Sequence, residues 1–329
     1  MPSERWGEIE ATYPTAWTVP RLARRFRSRD IYQSVRKHII ELHKLAPFDA
    51  IIGAFAFPDI VVAASLARDL GCPLIALVLG SDINELARHP RLRPQIREAL
   101  VQSHLVVALT RPLRDRVVEL GVSPDNVTVQ HNGVDGAHFR LRDRDEARRH
   151  LNIQPATPLI CYVGNLVQEK GPDVVLKAVG MLKTPARLVF VGDGNLKNQL
   201  QADSTRLGIA DRVTFVGRQP LEQIPLWMAA ADVLCLPSRR EGCPNVVLEA
   251  LACGTPVVAS CVGGVPELLS ERNGLMVQPD DPVGLASALD VALGRTWDSK
   301  DLRDSVGALS WDAFADVFKN AIQASHGFR

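Results

Sequence analysis

Glu241 and Glu249 flank a stretch of sequence whose residue types could bind a phosphate group. An apolar run ends at Leu236, a polar loop that contains a glycine follows, and Pro244 suits the first turn of a helix. Unpaired backbone N–H groups at the start of a helix form an anion site that can accommodate a diphosphate. Glu249 would lie about one turn inside this helix, where its carboxylate could accept hydrogen bonds from a ribose diol. Glu241, on the loop, could reach a sugar; the alternative is that Glu241 caps the helix and Glu249 is a solvated surface residue.

A second loop with suitable chemistry follows the apolar run that ends at Val163. It begins with Gly164 and ends with Lys170 before a Gly-Pro pair, so the lysine could place a positive charge on a phosphate where the next helix begins. The spacing differs from that of a Walker A loop. A third loop, 191–194, has a Gly-x-Gly pattern without the rest of the dinucleotide-binding fingerprint, so its glycines are equally consistent with a tight turn.

The elements that would position these loops are short apolar runs that alternate with longer helical stretches. Most of the runs are continuously apolar, as expected for strands that are buried on both faces of a parallel sheet. The predicted strands are 50–55, 73–79, 105–109, 127–130, 159–163, 188–191, 213–216, 233–236, 256–259 and 275–277. Helices are predicted between them, for example over 59–70, 112–120 and 173–182. This order predicts doubly wound sheets, whose ligands bind at the carboxyl ends of the strands.

The charge-dense segment 140–150 separates two series of strand–helix units and is the predicted domain boundary. A chain of 329 residues is long enough for two α/β domains of roughly 100–200 residues each. The first domain would comprise 1–150 and the second 151–310. An amphipathic helix over 311–324 would end the chain.

The composition is typical of a soluble globular protein, with 46% hydrophobic and 23% charged residues. The net charge of +1 provides no overall field that would attract nucleic acid. No apolar run approaches the roughly 18 residues of a membrane-spanning helix, and residues 1–4 lack the features of a signal peptide. The six cysteines include no Cys-x-x-Cys pair, which argues against a zinc site, and several lie in apolar runs. These features predict a cytoplasmic protein with reduced thiols.

A cluster of basic residues occupies the segment 21–29. Its members are Arg21, Arg24, Arg25, Arg27 and Arg29. The preferred interpretation is a solvated helix face. The alternative is a basic amphipathic segment that binds an anionic membrane surface, which would place the protein at the inner face of the membrane.

Five motifs in the second half, in order and at compatible spacing, resemble the donor-binding domain of the retaining glycosyltransferase family 4, which has the GT-B fold. They are 163–166 with Lys170-Gly171, 189–194, 213–217, the Glu241-to-Glu249 pair, and 252–259 with 263–267. The first half is similar to the same family at 57–59, 80–84 and 132–135. The resemblance extends from about residue 49 to the C-terminus. It implies an α/β protein with two Rossmann-like, doubly wound parallel-sheet domains that face a cleft.

The resemblance implies a metal-independent enzyme of the hexosyltransferase or N-acetylhexosaminyltransferase class. It would move a sugar, with retention of configuration, from a UDP- or GDP-linked donor to a glycan, a lipid or a small-molecule acceptor, and would require no cofactor. The second domain would bind the donor, the first would hold the acceptor, and the helix 311–324 would pack back on the first domain. The Asp-x-Asp sequence 143–145 resembles a metal-binding motif but lies in the predicted linker, so no metal ligand is assigned.

By analogy with the family, Glu241 would position the sugar hydroxyls, and Lys170 with the amides after Glu241 would stabilise the departing diphosphate. These two are the predicted catalytic residues, and Glu249 would bind the ribose. The predicted donor-binding residues are Gly164, Asn165, Lys170, Asp193, Arg218, Glu241, Gly242, Cys243, Pro244, Asn245, Val246 and Glu249. The predicted acceptor-side residues are Gly80, Ser81 and Asp82.

Three features depart from the family pattern. Asn165 stands where many relatives have an arginine that binds the diphosphate, and Leu79 stands where relatives commonly have a histidine. The segment 1–44 contains no recognisable counterpart of the first strand–helix units. This predicts a reduced N-terminal domain whose incomplete sheet is covered by a partner, an oligomer or an adapted edge. A misassigned start codon is an equal alternative. The alternative functions are therefore a catalytically weak nucleotide-sugar-binding subunit and, less favoured, an epimerase or hydrolase on the same scaffold.

Overall fold

The computed structural model describes residues 3–6, 9–13, 15 and 27–326. Within this part of the chain, the fold divides into two compact units. The first unit contains the described residues up to His131 and those from Ala315 onward, and the second is Asn132–Phe314. The last helix, α14 (Trp311–His326), therefore begins in the second unit and continues in the first.

The first unit is built on a small sheet of four parallel strands. In spatial order they are β3 (Ile51–Ala54), β4 (Leu74–Val78), β5 (Leu105–Ala108) and β6 (Val127–Val129). The accompanying helices are α1 (Arg27–Leu45), α2 (Val61–Leu70), α3 (Ser81–Asn84), α4 (Arg93–Val101) and α5 (Arg111–Glu119). The residues of β4 and β5 are almost all buried, as expected for central strands covered on both faces.

A separate antiparallel hairpin precedes the first helix. It consists of β1 (Ser3–Trp6) and β2 (Ile9–Thr12), and it does not extend the parallel sheet. The sequence shows no counterpart of the first strand–helix units within 1–44, and the hairpin is not such a unit, because it is antiparallel and separate from the parallel sheet. The parallel sheet is small, in agreement with the predicted reduced domain. Its strand β3 lies at the edge, where the side chain of Ile52 is 52% exposed.

Local sequence signals explain where several helices begin. The hydroxyl of Thr110 accepts a hydrogen bond from the backbone N–H of Leu113, and Pro112 lies in the first turn of α5. The carboxylate of Asp281 caps α12 (Pro282–Gly294) in the same way by accepting from the backbone N–H of Gly284. These caps satisfy backbone donors that have no partner inside the helix.

The second unit is built on six parallel strands with the order β12-β11-β10-β7-β8-β9. The strands are β7 (Leu159–Val163), β8 (Arg187–Val191), β9 (Val213–Gly217), β10 (Val233–Leu236), β11 (Val257–Ser260) and β12 (Gly274–Val277). The helices are α6 (Arg144–His150), α7 (Pro172–Gly180), α8 (Lys197–Arg206), α9 (Ile224–Ala230), α10 (Asn245–Ala252), α11 (Val265–Leu268), α12 (Pro282–Gly294) and α13 (Ser299–Asp304). This is the strand order of a doubly wound sheet, and its direction reverses between β7 and β10.

Aromatic side chains cross three neighbouring strands in the core of the second unit. Tyr162 on β7 packs edge-on against Phe190 on β8, with ring centroids 5.2 Å apart. Phe190 in turn stacks on Phe215 of β9 at 4.9 Å. Offset-stacked and edge-to-face aromatic pairs stabilise a core beyond the area that they bury. The row of rings therefore fixes the strands that lead into the loops after β7, β8 and β9.

The charge-dense segment 140–150 contains a buried arginine within the second unit. Arg148 on α6 donates from Nε to the carbonyl oxygen of Ala230 at 2.8 Å and from Nη2 to the carboxylate of Asp232 at 2.7 Å. Asp232 also accepts from the backbone N–H of Leu159 at 2.7 Å. A buried charge needs such partners. The segment therefore packs as part of the second unit, which begins at Asn132.

Two further sequence features concern membranes. Arg21, Arg24 and Arg25 lie outside the described residues, whereas Arg27 and Arg29 belong to the exposed beginning of α1. Among the helices of the described ranges, none combines the length and the apolar character needed to cross a bilayer.

Candidate active site

The loops that follow β7 and β10 lie on either side of the point where the second sheet reverses direction. This is where open α/β sheets bind their ligands. Gly171 ends the first loop with a φ of 62°, and a Cβ atom at this position would lie 2.1 Å from the carbonyl oxygen of Pro237 in the second loop. Only glycine permits both the left-handed backbone and the close approach of the two loops.

This approach places Lys170 and Glu241 in direct contact. The Nζ atom of Lys170 donates to both carboxylate oxygens of Glu241, at 2.8 and 2.9 Å. The Glu241 side chain is only 6% exposed, whereas that of Lys170 is 36% exposed. A nearly buried carboxylate requires a partner of this kind, and charge-assisted hydrogen bonds are strong. The two residues that the sequence selects as catalytic thus form one ion pair with an accessible ammonium group.

Helix α10 begins at Asn245, close to the position that the sequence predicts. Pro244 occupies the N-cap position rather than the first turn, and it has no side-chain acceptor to offer to the amides of that turn. Asn245 is exposed and Gly242 and Val246 are half-buried. The start of α10 has no side-chain cap, and the backbone N–H of Val247 donates to the carbonyl oxygen of Pro244 at 3.2 Å. An uncapped helix start of this kind can accommodate an anion beside Glu241.

A residue without a predicted role, Asn132, braces this helix start. Its side-chain amide donates to the Oδ1 atom of Asn245 at 2.6 Å and to the carbonyl oxygen of Cys243 at 3.4 Å. The sequence signal was present, since Asn132 opens the segment 132–135 that resembles the family, but the segment is remote from the loop along the chain.

Burial raises the pKa of the Cys243 thiol to about 11, so this thiol stays protonated at neutral pH.

Glu249 is the fifth residue of α10 and is half-buried. Burial raises the pKa of its carboxyl group from the ordinary value of 4.5 to about 7, and the charge of His138 acts in the opposite direction. The His138 ring nitrogen Nε2 is itself 3.0 Å from the carbonyl oxygen of Leu221 in the loop after β9. Glu249 is thus a carboxyl group that can exchange its proton near neutral pH.

We expect Glu249→Gln to stabilise the protein above pH 7. Between pH 4.5 and about 7 the folded protein retains a proton on Glu249 that the unfolded chain has lost, so the free energy of unfolding falls as the pH rises through this window. The substitution removes this loss and should raise the free energy of unfolding at pH 8 by on the order of 1–3 kcal/mol. Urea unfolding at pH 5 and pH 8 measures it, with the exposed Glu271→Gln as the control. An equal effect of Glu249→Gln at both pH values would contradict the prediction.

The loop after β8 brings Asp193 near Arg218. The backbone N–H of Gly194 donates to Asp193 at 2.8 Å, and this bond is the main cause of the lowered pKa of its carboxyl group; Lys197, and more weakly Arg218, contribute charge. Asp193 and Arg218 are both exposed. Asn165, in the loop after β7, is also exposed, and its backbone oxygen accepts a hydrogen bond from the Tyr162 hydroxyl at 2.8 Å. Three of the predicted donor-binding residues therefore remain open to solvent.

The predicted acceptor-side triplet belongs to the first unit, where it follows β4. Asp82 is completely buried, and its carboxylate accepts hydrogen bonds from the backbone N–H groups of Ala56, Leu79 and Gly80 at 2.7–3.2 Å. Asp82 therefore stabilises the conformation of the loop after β4 through bonds to its backbone. Ser81 is exposed and is free to face a ligand, and Leu79 is also exposed at this loop.

The Asp-x-Asp sequence 143–145 serves a structural purpose at its first position. Asp143 is the N-cap of α6 and accepts from the backbone N–H of Glu146 at 2.7 Å. Within the described ranges, no group of three histidine, cysteine, aspartate or glutamate side chains is arranged to hold a metal ion. All six cysteines are free thiols, and only Cys261 is exposed.

Two family models together match most of the chain. Residues 3–138 match the model described as Glycosyltransferase Family 4, and residues 143–304 match Glycosyl transferases group 1. The two matches adjoin near the point where the structure divides into units. The second match includes Lys170, Glu241 and Glu249.

Curated relatives with similar sequences are also glycosyltransferases. The D-inositol 3-phosphate glycosyltransferase of Segniliparus rotundus is 32% identical over 273 residues, which are 75% of this chain and 60% of that protein. The putative teichuronic acid biosynthesis glycosyltransferase TuaC of Bacillus subtilis is 31% identical over 244 residues, which are 73% of this chain and 60% of that protein. The chain therefore spans about 60% of the length of these two relatives.

Solved structures share the fold at lower sequence identity. Anabaena Alr3699/HepE in complex with UDP has a TM-score of 0.78 and is 22% identical, with 91% of this chain and 84% of that chain covered. Sucrose-phosphate synthase from Thermosynechococcus elongatus has a TM-score of 0.80 and is 23% identical, with 99% and 86% covered.

The fold class that the sequence predicts is confirmed by these likenesses and by the two parallel sheets. The family that the five motifs indicate is confirmed by the two matching models and by the relatives. This chain is thus a member of glycosyltransferase family 4 with a GT-B, Rossmann-like α/β fold and a small first domain.

Proposed function

We propose that this protein is a retaining, metal-independent glycosyltransferase of the hexosyltransferase or N-acetylhexosaminyltransferase class. It takes a UDP- or GDP-linked sugar as donor and a glycan, a lipid or a small molecule as acceptor. The observation that best supports this proposal is the contact between Lys170 and Glu241 beside the uncapped start of α10. This arrangement combines a cation, free backbone donors and a carboxylate within one strand-end site.

In the proposed reaction, the bond between the anomeric carbon and the β-phosphate oxygen breaks, and its electron pair stays on the nucleoside diphosphate. The acceptor oxygen forms a bond to the same face of the anomeric carbon, and its proton passes to the departing phosphate oxygen. Lys170 and the first amides of α10 stabilise the charge that develops on the diphosphate. Glu241 accepts hydrogen bonds from sugar hydroxyls and orients the ring. No side-chain base and no metal ion are required by this sequence of steps.

The residue at position 165 makes Lys170 the main cation of the proposed diphosphate site. Asn165 can donate a hydrogen bond but supplies no charge. Lys170 is held by Glu241 when no donor is bound, and its exposed side remains available to a phosphate. The donor can therefore bind without a large rearrangement of the pair.

Glu249 binds the ribose diol in this proposal. Two hydroxyl groups can donate to an ionised carboxylate, whereas a protonated carboxyl offers fewer acceptors. Because the pKa of Glu249 is about 7, nucleoside diphosphate affinity is expected to rise between pH 6 and pH 8. Asp193 and Arg218, which are exposed beyond the ends of β8 and β9, are proposed to contact the nucleoside.

We further propose that the first unit, with the helix 311–324, serves the acceptor. The exposed Ser81 and Leu79 lie in the loop after β4, and the buried Asp82 holds that loop in shape. The same proposal places the protein in the cytoplasm. It also includes contact of the basic segment 21–29 with the inner face of a membrane and an oligomer that covers β3. A nucleic-acid partner is not expected.

The proposal is tested by incubating the pure protein with radiolabelled nucleotide sugars, with and without lipid or glycan acceptors. UDP-glucose is the first donor to test, because a similar structure of Anabaena Alr3699/HepE was solved in complex with it. Transfer with retained configuration in the presence of a chelator supports the proposal. Donor binding without transfer to any acceptor would support the alternative, a catalytically weak nucleotide-sugar-binding subunit, which Leu79 favours.

We expect Lys170→Ala to weaken nucleoside diphosphate binding by about 1.5–3 kcal/mol, the range for a hydrogen bond to a charged group. This corresponds to a loss of roughly 10- to 150-fold in affinity. The variant loses the cation and leaves the nearly buried Glu241 carboxylate without its partner beside an anionic ligand. Isothermal titration with UDP and GDP measures the effect.

The matched control for Lys170 is Lys177→Ala. Lys177 lies on the helix that follows the same loop, is exposed, and pairs only loosely with Asp173 at 3.7 Å. Its substitution should leave nucleoside diphosphate affinity within about twofold, as is usual for exposed ion pairs. If Lys170→Ala binds UDP and GDP as tightly as Lys177→Ala does, Lys170 does not contact the phosphate.

A further inference from the structure

We propose that Arg239 is a positioning residue that holds Lys170 and Glu241 at the separation needed for transfer. The inference rests on the proposed function and adds to it a residue that contacts neither the donor nor the acceptor. Arg239 lies between the strand end of β10 and Glu241, and its side chain reaches into two other loops.

The guanidinium group of Arg239 uses all its nitrogen atoms. Nη1 and Nη2 donate in parallel to the two carboxylate oxygens of Asp173, each at 2.9 Å. Nε donates to Asp280 at 2.7 Å, and Nη1 also donates to the carbonyl oxygen of Gln168. The backbone N–H of Arg239 donates to the carbonyl oxygen of Glu169 at 2.8 Å. A forked pair of this kind fixes geometry as well as charge.

These contacts connect three loops at the carboxyl ends of separate strands. Gln168 and Glu169 immediately precede Lys170 in the loop after β7, and Asp173 lies at the start of α7. Arg239 itself is two residues before Glu241, and Asp280 lies in the loop after β12 with a left-handed φ of 59°. Arg239 therefore holds the backbone on both sides of the ion pair formed by Lys170 and Glu241.

Its charge is already neutralised, which distinguishes Arg239 from a phosphate ligand. The Arg239 side chain is only 19% exposed and has two carboxylate partners. Burial alone would raise the pKa of Asp173, but the hydrogen bonds and the charge of Arg239 outweigh it and lower this pKa. The neighbouring Arg240 is exposed, and its guanidinium group lies 3.8 Å from the carboxylate of Glu169. The two adjacent arginines therefore differ in exposure and in the closeness of their ion pairs.

The test compares Arg239→Lys and Arg239→Ala with the wild type and with the control Lys177→Ala. Lysine keeps the charge but cannot form the fork. Lys177 contacts the same Asp173, at 3.7 Å, from within α7. Three properties are measured: kcat and KM for the donor that the wild type uses, affinity for UDP and for uridine (or for GDP and guanosine), and the thermal midpoint.

For Arg239→Lys we expect kcat to fall by about 10- to 100-fold, because a displacement of about 1 Å at a reacting group can cost that much. UDP affinity should fall severalfold, since Lys170 is displaced, while uridine affinity stays within twofold because the contact of Glu249 is on a different element. Arg239→Ala should show the same pattern with a larger loss of kcat, and Lys177→Ala should match the wild type.

Two results would overturn the role of Arg239. The first is that Arg239→Lys has the same kcat and the same UDP affinity as the wild type. The second is that the variant loses UDP and uridine affinity in equal proportion and has a lower thermal midpoint. The second result would assign Arg239 to stability alone. A wild-type protein that binds none of the four probes and transfers no sugar would instead overturn the proposed function, and the role of Arg239 with it.

Discussion

Glu241→Gln is expected to lower the rate of sugar transfer by about 10²- to 10³-fold, the loss typical of a group that interacts more strongly with the transition state than with the ground state. Glutamine has nearly the same shape as glutamate, but it carries no charge to stabilise the positive character that develops on the sugar ring. It also retains only one good acceptor for the sugar hydroxyls. Steady-state kinetics with the donor and acceptor that the wild type uses measure the loss.

The affinity for nucleoside diphosphates should not fall in the same variant. Glu241 accepts two hydrogen bonds from Lys170 at 2.8 and 2.9 Å, and it holds a negative charge beside the proposed phosphate site. Its neutralisation frees the cation and removes a repulsion. UDP affinity should therefore be unchanged or greater, and the exposed Glu271→Gln should change neither property. Parallel losses in binding and transfer would falsify the assignment of Glu241 to the sugar.

Continuous apolar runs were sufficient to predict the sheet of the second unit. Runs such as 159–163 and 233–236 become β7 and β10, because a parallel strand covered on both faces has no polar side to break the run. The start of α10 at Asn245 was predictable for a related reason, since glycine and proline mark the change from loop to helix. The loops that contain Lys170 and Glu241 follow from these elements and from the general rule for ligand sites in open sheets.

Features that depend on contacts between distant segments could not be predicted. Arg239 and Arg240 are adjacent and identical in type. Only the folded structure shows that the side chain of Arg239 has three polar partners and that Arg240 is exposed. Arg148 lies in a segment whose composition suggests solvent, yet it is buried because Asp232 and two carbonyl groups meet its guanidinium. A polar residue type does not reveal its partner when that partner, like Asp232, is 84 positions away.

Asp82 shows the same limit within a motif. The sequence resemblance placed it beside the acceptor, and the structure shows its carboxylate bonded to backbone groups of its own loop and of Ala56, 26 positions earlier. A motif identifies where a loop lies more securely than which of its atoms face a ligand.

Gly263→Ala is expected to disrupt the candidate site by displacing the backbone of Glu241. Gly263 lies in the loop after β11 with a φ of 56°, and a Cβ atom there would be 2.1 Å from the carbonyl oxygen of Glu241. The adjacent Gly264 donates its backbone N–H to the carbonyl oxygen of Gly242 at 2.7 Å, so the two loops are held together by their backbones. The methyl group cannot rotate away from a backbone oxygen. Either the loop after β11 or the Glu241 peptide must therefore move.

The control separates this clash from the cost of a left-handed alanine. Gly208 has a φ of 70°, and a Cβ atom there would meet nothing within 4 Å. Gly208→Ala should lower the free energy of unfolding by about 1–2 kcal/mol and leave transfer intact. Gly263→Ala should lower the free energy of unfolding by about 3–4 kcal/mol and reduce transfer by about 10²-fold, since the Glu241 carboxylate loses the position proposed for it at the sugar. Urea unfolding and donor kinetics on both variants measure these effects. Equal losses of stability with full transfer in both would mean that the loop after β11 yields to the methyl group, and that Glu241 is held by Lys170 and Arg239 without support from Gly263.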